Sequence, residues 1–108
     1  MAIDPGVIFT IPVRPDRVDD FERWVHAVLE PAAEQSSRMP PFRLYRAGPG
    51  RGGAVLFVVV GEGVDADRFE LQPLFDEVYG EERGRAEAEA FAGMLADEQV
   101  LWVLTPLV

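Results

Sequence analysis

Val7 to Val13 (VIFTIPV) is β-branched and aromatic, a composition that suits a strand. Pro15 closes it, and Asp16 is expected to cap the helix beyond it. From Asp16 to about Gln35 the period becomes that of a helix. Val18, Phe21, Val25, Val28, Leu29 and Ala32 fall at spacings of three and four and make one apolar stripe. Asp16, Asp19 and Asp20 lie in the first turn, where the helix dipole favours anions. Pro31 has no N–H to donate, so a kink or an end near Glu30 is expected.

Phe42 to Ala47 (FRLYRA) alternates apolar and polar residues, as a half-exposed strand does. Ala54 to Val60 (AVLFVVV) is apolar on both faces, and the glycine-rich segment Gly48 to Gly53 between the two reads as a hairpin tip. Gly61 and Gly63 are expected to end that strand. Asp67 followed by Glu70 resembles a capping box. It would open a short helix over Arg68 to Tyr79, interrupted or restarted at Pro73 and stopped by Gly80. A second helix is predicted from about Glu81 to Asp97, with Ala88, Phe91, Ala92 and Leu95 facing inward. Gln99 to Leu107 reads as the last strand.

The order is β-α-β-β-α-β in a single domain over residues 1–108, with no repeat and no linker. Two split β-α-β units with right-handed crossovers build an α+β, ferredoxin-like domain. Its four-stranded antiparallel sheet has the first and third strands in the centre and both helices on one face. Val7, Phe9, Ile11 and Val13 oppose Ile8, Thr10 and Pro12. In the third strand Val55, Phe57 and Val59 oppose Ala54, Leu56, Val58 and Val60. In the last, Val100, Trp102 and Leu104 oppose Leu101, Val103 and Thr105. An antiparallel sheet wetted on one side alternates apolar with polar; these strands do not. Whichever set meets the helices, the other leaves an apolar open face. Burying each such side chain is worth roughly 1.5 kcal/mol or more. Two copies bury two faces, which outweighs an association cost of ~4–15 kcal/mol. A homodimer packed sheet against sheet is therefore expected.

Composition narrows the chemistry. The chain has no cysteine, lysine or asparagine, which removes disulfides, thiolate metal sites, thiol nucleophiles and Schiff-base lysines. Nineteen acidic residues against ten basic ones give a net charge of −9. That field disfavours nucleic acid and anionic membranes as partners. No apolar run approaches the ~20 residues that span a bilayer, and no secretory leader opens the chain, so a cytoplasmic location is expected. No calcium-loop spacing occurs, and no metal or cofactor is assigned.

With these elements in place, the sequence resembles the dimeric α/β-barrel superfamily, and within it antibiotic-biosynthesis-monooxygenase-like proteins. The resemblance runs from Val7 to Leu107. It rests on element order, length, the opening strand followed by Pro15-x-x-Val18-x-x-Phe21, and the doubly apolar strands. It implies two ferredoxin-like domains paired through their sheets into a barrel. Those monooxygenases typically carry a tryptophan after the third strand and a histidine in the next helix. Here Gly61-Glu62-Gly63 and Phe69 to Phe75 stand in those places with neither residue.

Six residues are candidates for a site. His26 is the only histidine and the candidate general base. It lies about 120° from the centre of the apolar stripe, and Trp24 about 80°. Trp24, Tyr45, Tyr79 and Trp102 are the polar aromatics that a pocket between sheet and helices would use. Arg43, beside Tyr45, is suited to a carboxylate or phenolate. Two readings remain open. One is a homodimeric small-molecule-binding protein that works as a cofactor-free monooxygenase or isomerase on an aromatic or polyketide-like ligand. The other is a non-enzymatic dimeric ligand-binding or accessory module. An apolar cavity of roughly 300 Å3 or more would favour ligand binding over a purely structural pairing domain.

Overall fold

A computed structural model describes residues 4–50 and 55–108. Strands β1 (Pro5–Pro12), β2 (Phe42–Ala47), β3 (Leu56–Glu62) and β4 (Val100–Val103) form one antiparallel sheet in the order β2-β3-β1-β4. The helices are α1 (Val18–Trp24), α2 (Glu30–Gln35), α3 (Leu71–Tyr79) and α4 (Glu81–Met94). They lie on one face, as expected for the ferredoxin-like α+β fold. None is long and apolar enough to cross a membrane.

Register resolves which strand face is which. Residues directly opposite one another share a face. Leu44, Val59, Phe9 and Leu101 form one row across the sheet, and Phe57 with Ile11 belongs to the next. Phe57, Ile11, Val7 and Val13 are buried, so this is the helix side. On the open side, Arg43, Val60, Ile8 and Trp102 form one row and Tyr45, Val58, Thr10 and Val100 another. Val60, Ile8 and Val58 are at most partly exposed, and Trp102 is 56% exposed.

The core beneath the helices is aromatic. Phe21, 1% exposed, lies 4.5 Å from Phe57, 5.9 Å from Trp24 and 6.1 Å from Phe91 between ring centroids. Trp24 meets Phe75 edge-on at 5.7 Å. Each such pair adds ~0.5–1.5 kcal/mol beyond the area it buries.

Several local expectations are corrected. Of the two outcomes expected at Pro31, a kink or an end, the end does not occur. Residues 25–29 wind into a wider π turn in which the Glu30 N–H donates to the Val25 carbonyl, and α2 continues to Gln35. The wide turn takes up the missing donor and the bulk of the proline ring in the helix ladder. The turn also keeps Val28, Leu29 and Ala32 on the same face as Phe21 and Trp24. Asp16 is not a cap: its carboxylate pairs with Arg14 at 3.2 Å. The capping aspartate before the second helical region is Asp65, which accepts from the Asp67 N–H at 3.2 Å. A short 3-10 turn, Ala66–Phe69, comes next, and α3 then begins at Leu71 with Pro73 harmlessly in its first turn. In α4 the buried residues are Gly84, Phe91 and Met94, while Ala92 is exposed. β3 runs on through Gly61 instead of stopping there, and β4 is only four residues long because β1 offers it only Val7 to Thr10. Ala54 and the part of the predicted hairpin tip from Arg51 to Gly53 lie outside the described residues.

Candidate functional site

Between the helix side of the sheet and the helices lies a cavity of about 330 Å3. The strands supply its floor through Phe9, Ile11, Leu44 and Val59. Phe21, Leu29 and Phe91 close it from the helices. These residues point inward because the strand alternation and the helical stripe place them there. The rim comes from Phe69 and Glu70 in the segment that joins β3 to α3, from Leu71 and Gln72 in the first turn of α3, and from Gln99 ahead of β4.

Among the described residues that line it, Glu70 is the one titratable side chain, and Gln72 and Gln99 are the only amides. All three are exposed, so they stand at the mouth and not in the depth. The Gln72 side-chain amide donates to Asp76 at 3.0 Å. Such an arrangement takes up an apolar body and offers hydrogen bonds at one end. Among the described residues, no group of three or more histidines or carboxylates is placed to hold a metal ion.

Gly61 helps to shape this rim. A Cβ there would lie 2.7 Å from Cε1 of Phe69, whose ring packs against Phe9 at 5.6 Å between centroids. The bare strand backbone is what lets the ring lie close against the sheet. Gly61→Ala is expected to lower the urea midpoint by the equivalent of about 1–3 kcal/mol with an unchanged m-value. Phe69→Leu in the same chain should return part of that loss, since the two changes meet at one contact. An unaltered midpoint in the single variant would contradict the close fit.

The residues anticipated as a site are dispersed, and none lines this cavity. Trp24 is 8% exposed and packs within the aromatic core, and its indole N–H has no hydrogen-bond partner among the described residues. The Tyr79 hydroxyl donates to the Val28 carbonyl at 2.7 Å, and the Arg83 guanidinium covers its ring at 4.0 Å. Tyr45, Trp102 and Arg43 sit on the open face of the sheet. His26 lies on the opposite flank of the helix, with Nδ1 3.2 Å from a Glu30 carboxylate oxygen. Together with Tyr45, Arg46 and Glu22 it borders a second, more polar groove of about 390 Å3.

The sequence signal that points to this cavity is the alternation of β2. Phe42 and Leu44 are its apolar positions, and they complete the floor of the cavity at the sheet edge. Glu70 is hidden in the sequence by a capping motif that does not form.

Three solved structures share this fold. A "putative antibiotic biosynthesis monooxygenase" from Caulobacter crescentus superposes with a TM-score of 0.55 at 16% identity, covering 95% of this chain and 89% of that one. The protein Rv0793 from Mycobacterium tuberculosis gives 0.52 at 18% identity, covering 95% and 94%. A second "putative antibiotic biosynthesis monooxygenase", from Nitrosomonas europaea, gives 0.52 at 14% identity, covering 99% and 96%. No family model matches the chain. No curated protein matches it by sequence. The likeness read from element order and doubly apolar strands therefore holds at the level of the fold.

Proposed function

We propose that this protein binds an apolar, ring-bearing small molecule in the cavity between sheet and helices, and that it does so as a homodimer joined through its open sheet face. The observation that carries the binding reading is the cavity itself. Its volume falls at the small end of ligand pockets, which run to about 300–1,000 Å3, and its walls are apolar with polar groups only at the mouth. Phe21 and Phe91, which line it, also touch Trp24, so an occupant should alter indole emission. Titration of the Trp102→Phe chain with 2-naphthol, read through Trp24 fluorescence, is expected to saturate with a Kd below about 1 mM. Val59→Phe, which puts extra carbons into the cavity, should weaken it at least tenfold. No saturation up to the solubility limit would refute the reading.

One feature favours turnover of the ligand. Glu70 is positioned at the mouth to accept the proton of a phenolic substrate. The electron-rich phenolate then reduces dioxygen: one oxygen atom enters the ring as a quinone carbonyl and the other leaves as water with two substrate hydrogens, a chemistry in keeping with the names of two of the similar structures. Oxygen uptake with hydroxylated polycyclic compounds tests this. Glu70→Gln should lower the rate at least a hundredfold, within the range that loss of a general base removes. His26→Ala should lower it less, since His26 lies outside the cavity. A failure to consume oxygen with any such compound would leave the non-enzymatic binding module.

A further inference from the structure

The apolar cavity and the polar groove lie side by side. Leu29, Phe42 and Leu44 line both, so the partition between them is made of three apolar side chains. Two of these belong to the edge strand β2 and one to the π turn at 25–29. On the far side the groove runs between the helix and the overhanging edge strand. Arg46 reaches across it to Glu22 at 3.0 Å. His26 comes one helical turn after Glu22, and Glu30 one turn after His26, so the three stand in a row along the groove.

We infer that the two compartments form one elongated site for an uncharged amphiphile, with its apolar body in the cavity and a hydroxyl head in the groove between His26, Arg46 and the two carboxylates. This rests on the cavity being a ligand site and names the class of ligand it takes. The head is uncharged for a physical reason. Both carboxylates already have partners, Glu22 in Arg46 and Glu30 in His26. A hydroxyl donates to one member of such a pair and accepts from the other without breaking it. A carboxylate head would face Glu22 and Glu30 at close range. An ammonium head would have to shed water beside Val25, Leu29 and Phe57.

His26 is the only histidine in the chain and stands at the edge of the groove, so its ring protons give one assignable pair of resonances there in a proton NMR spectrum. The probes are 1-decanol, decanoate and decylammonium, each added to the full chain carrying bound 2-naphthol. 1-Decanol is expected to displace 2-naphthol, to move the His26 ring resonances, and to bind about tenfold tighter than either charged analogue. The double variant Glu22→Gln/Glu30→Gln should cut the preference for alcohol over decanoate at least fivefold. Leu44→Trp, which thickens the partition, should abolish the His26 shift. If 2-naphthol binds but 1-decanol displaces it with His26 unmoved, or a charged head wins, the elongated site is refuted and the cavity reading survives. If 2-naphthol does not bind, both fall.

Discussion

Phe21→Ala is expected to destabilise the fold by about 3–5 kcal/mol, the range for truncating a buried phenylalanine. Phe21 is the hub of the aromatic core: its ring contacts those of Trp24, Phe57 and Phe91 and is almost wholly shielded from water. It also lines the cavity, so the space left by the ring joins one that already exists. Neighbours relaxing into the gap would have to move away from other partners across the cavity, so collapse recovers little. A domain of this size has only about 5–15 kcal/mol of net stability in all. At roughly 4–8 °C per kcal/mol, the melting temperature should fall by about 12 °C or more. A loss under about 1.5 kcal/mol by urea unfolding would show that the aromatic cluster is not what holds helix to sheet.

Val58→Asp should convert a dimer to a monomer. Val58 stands mid-sheet on the open face, directly between Tyr45 of β2 and Thr10 of β1. The flanking row holds Val60, Ile8 and Trp102, and Tyr45 is 50% exposed to solvent. Neighbouring strands already shade part of this face, so each valine or isoleucine gains less on pairing than a fully exposed side chain would. The gain comes from the continuity of the patch. In a two-fold pair every substitution occurs twice, and a carboxylate at the centre would be buried without a partner on both sides. Light scattering at micromolar concentration should give twice 12.0 kDa for the parent chain and 12.0 kDa for the variant. Far-ultraviolet circular dichroism should be the same for both, since Val58 does not touch the helix side. A parent chain already at 12.0 kDa would refute the pairing.

The strand order and the single helical layer are legible because periodicity is a local property. Val7, Phe9 and Ile11 at spacings of two, and Val18, Phe21 and Val28 at helical spacings, declare their elements before any tertiary contact exists. Which side of each strand meets the helices is not legible, because both sets are apolar in β1 and β3. Only β2 distinguishes the sides, with Phe42 and Leu44 inward and Arg43 and Tyr45 outward. Pro31 marks where the helix is disturbed but not how, because its cost is reckoned against an α-helix, whereas the chain widens one turn and continues. The cavity is harder still. Its walls come from separate stretches of chain, and large aromatics with polar tips are the residues that stand out in the sequence. In a core this rich in rings, bulk decides where Trp24 and Tyr79 go, and the polar mouth falls to Glu70, Gln72 and Gln99.

The π turn at 25–29 makes the first helical region a regular helix carrying one surplus residue. Excising Ala27, which is exposed, would restore ordinary pitch with the segments before and after it in phase, but it would set the Pro31 ring against the carbonyl one turn back, so the shortened helix should form well only with Pro31→Ala in the same chain. The same excision from α1 would rotate everything downstream by about 100° and turn Val28 and Ala32 to solvent.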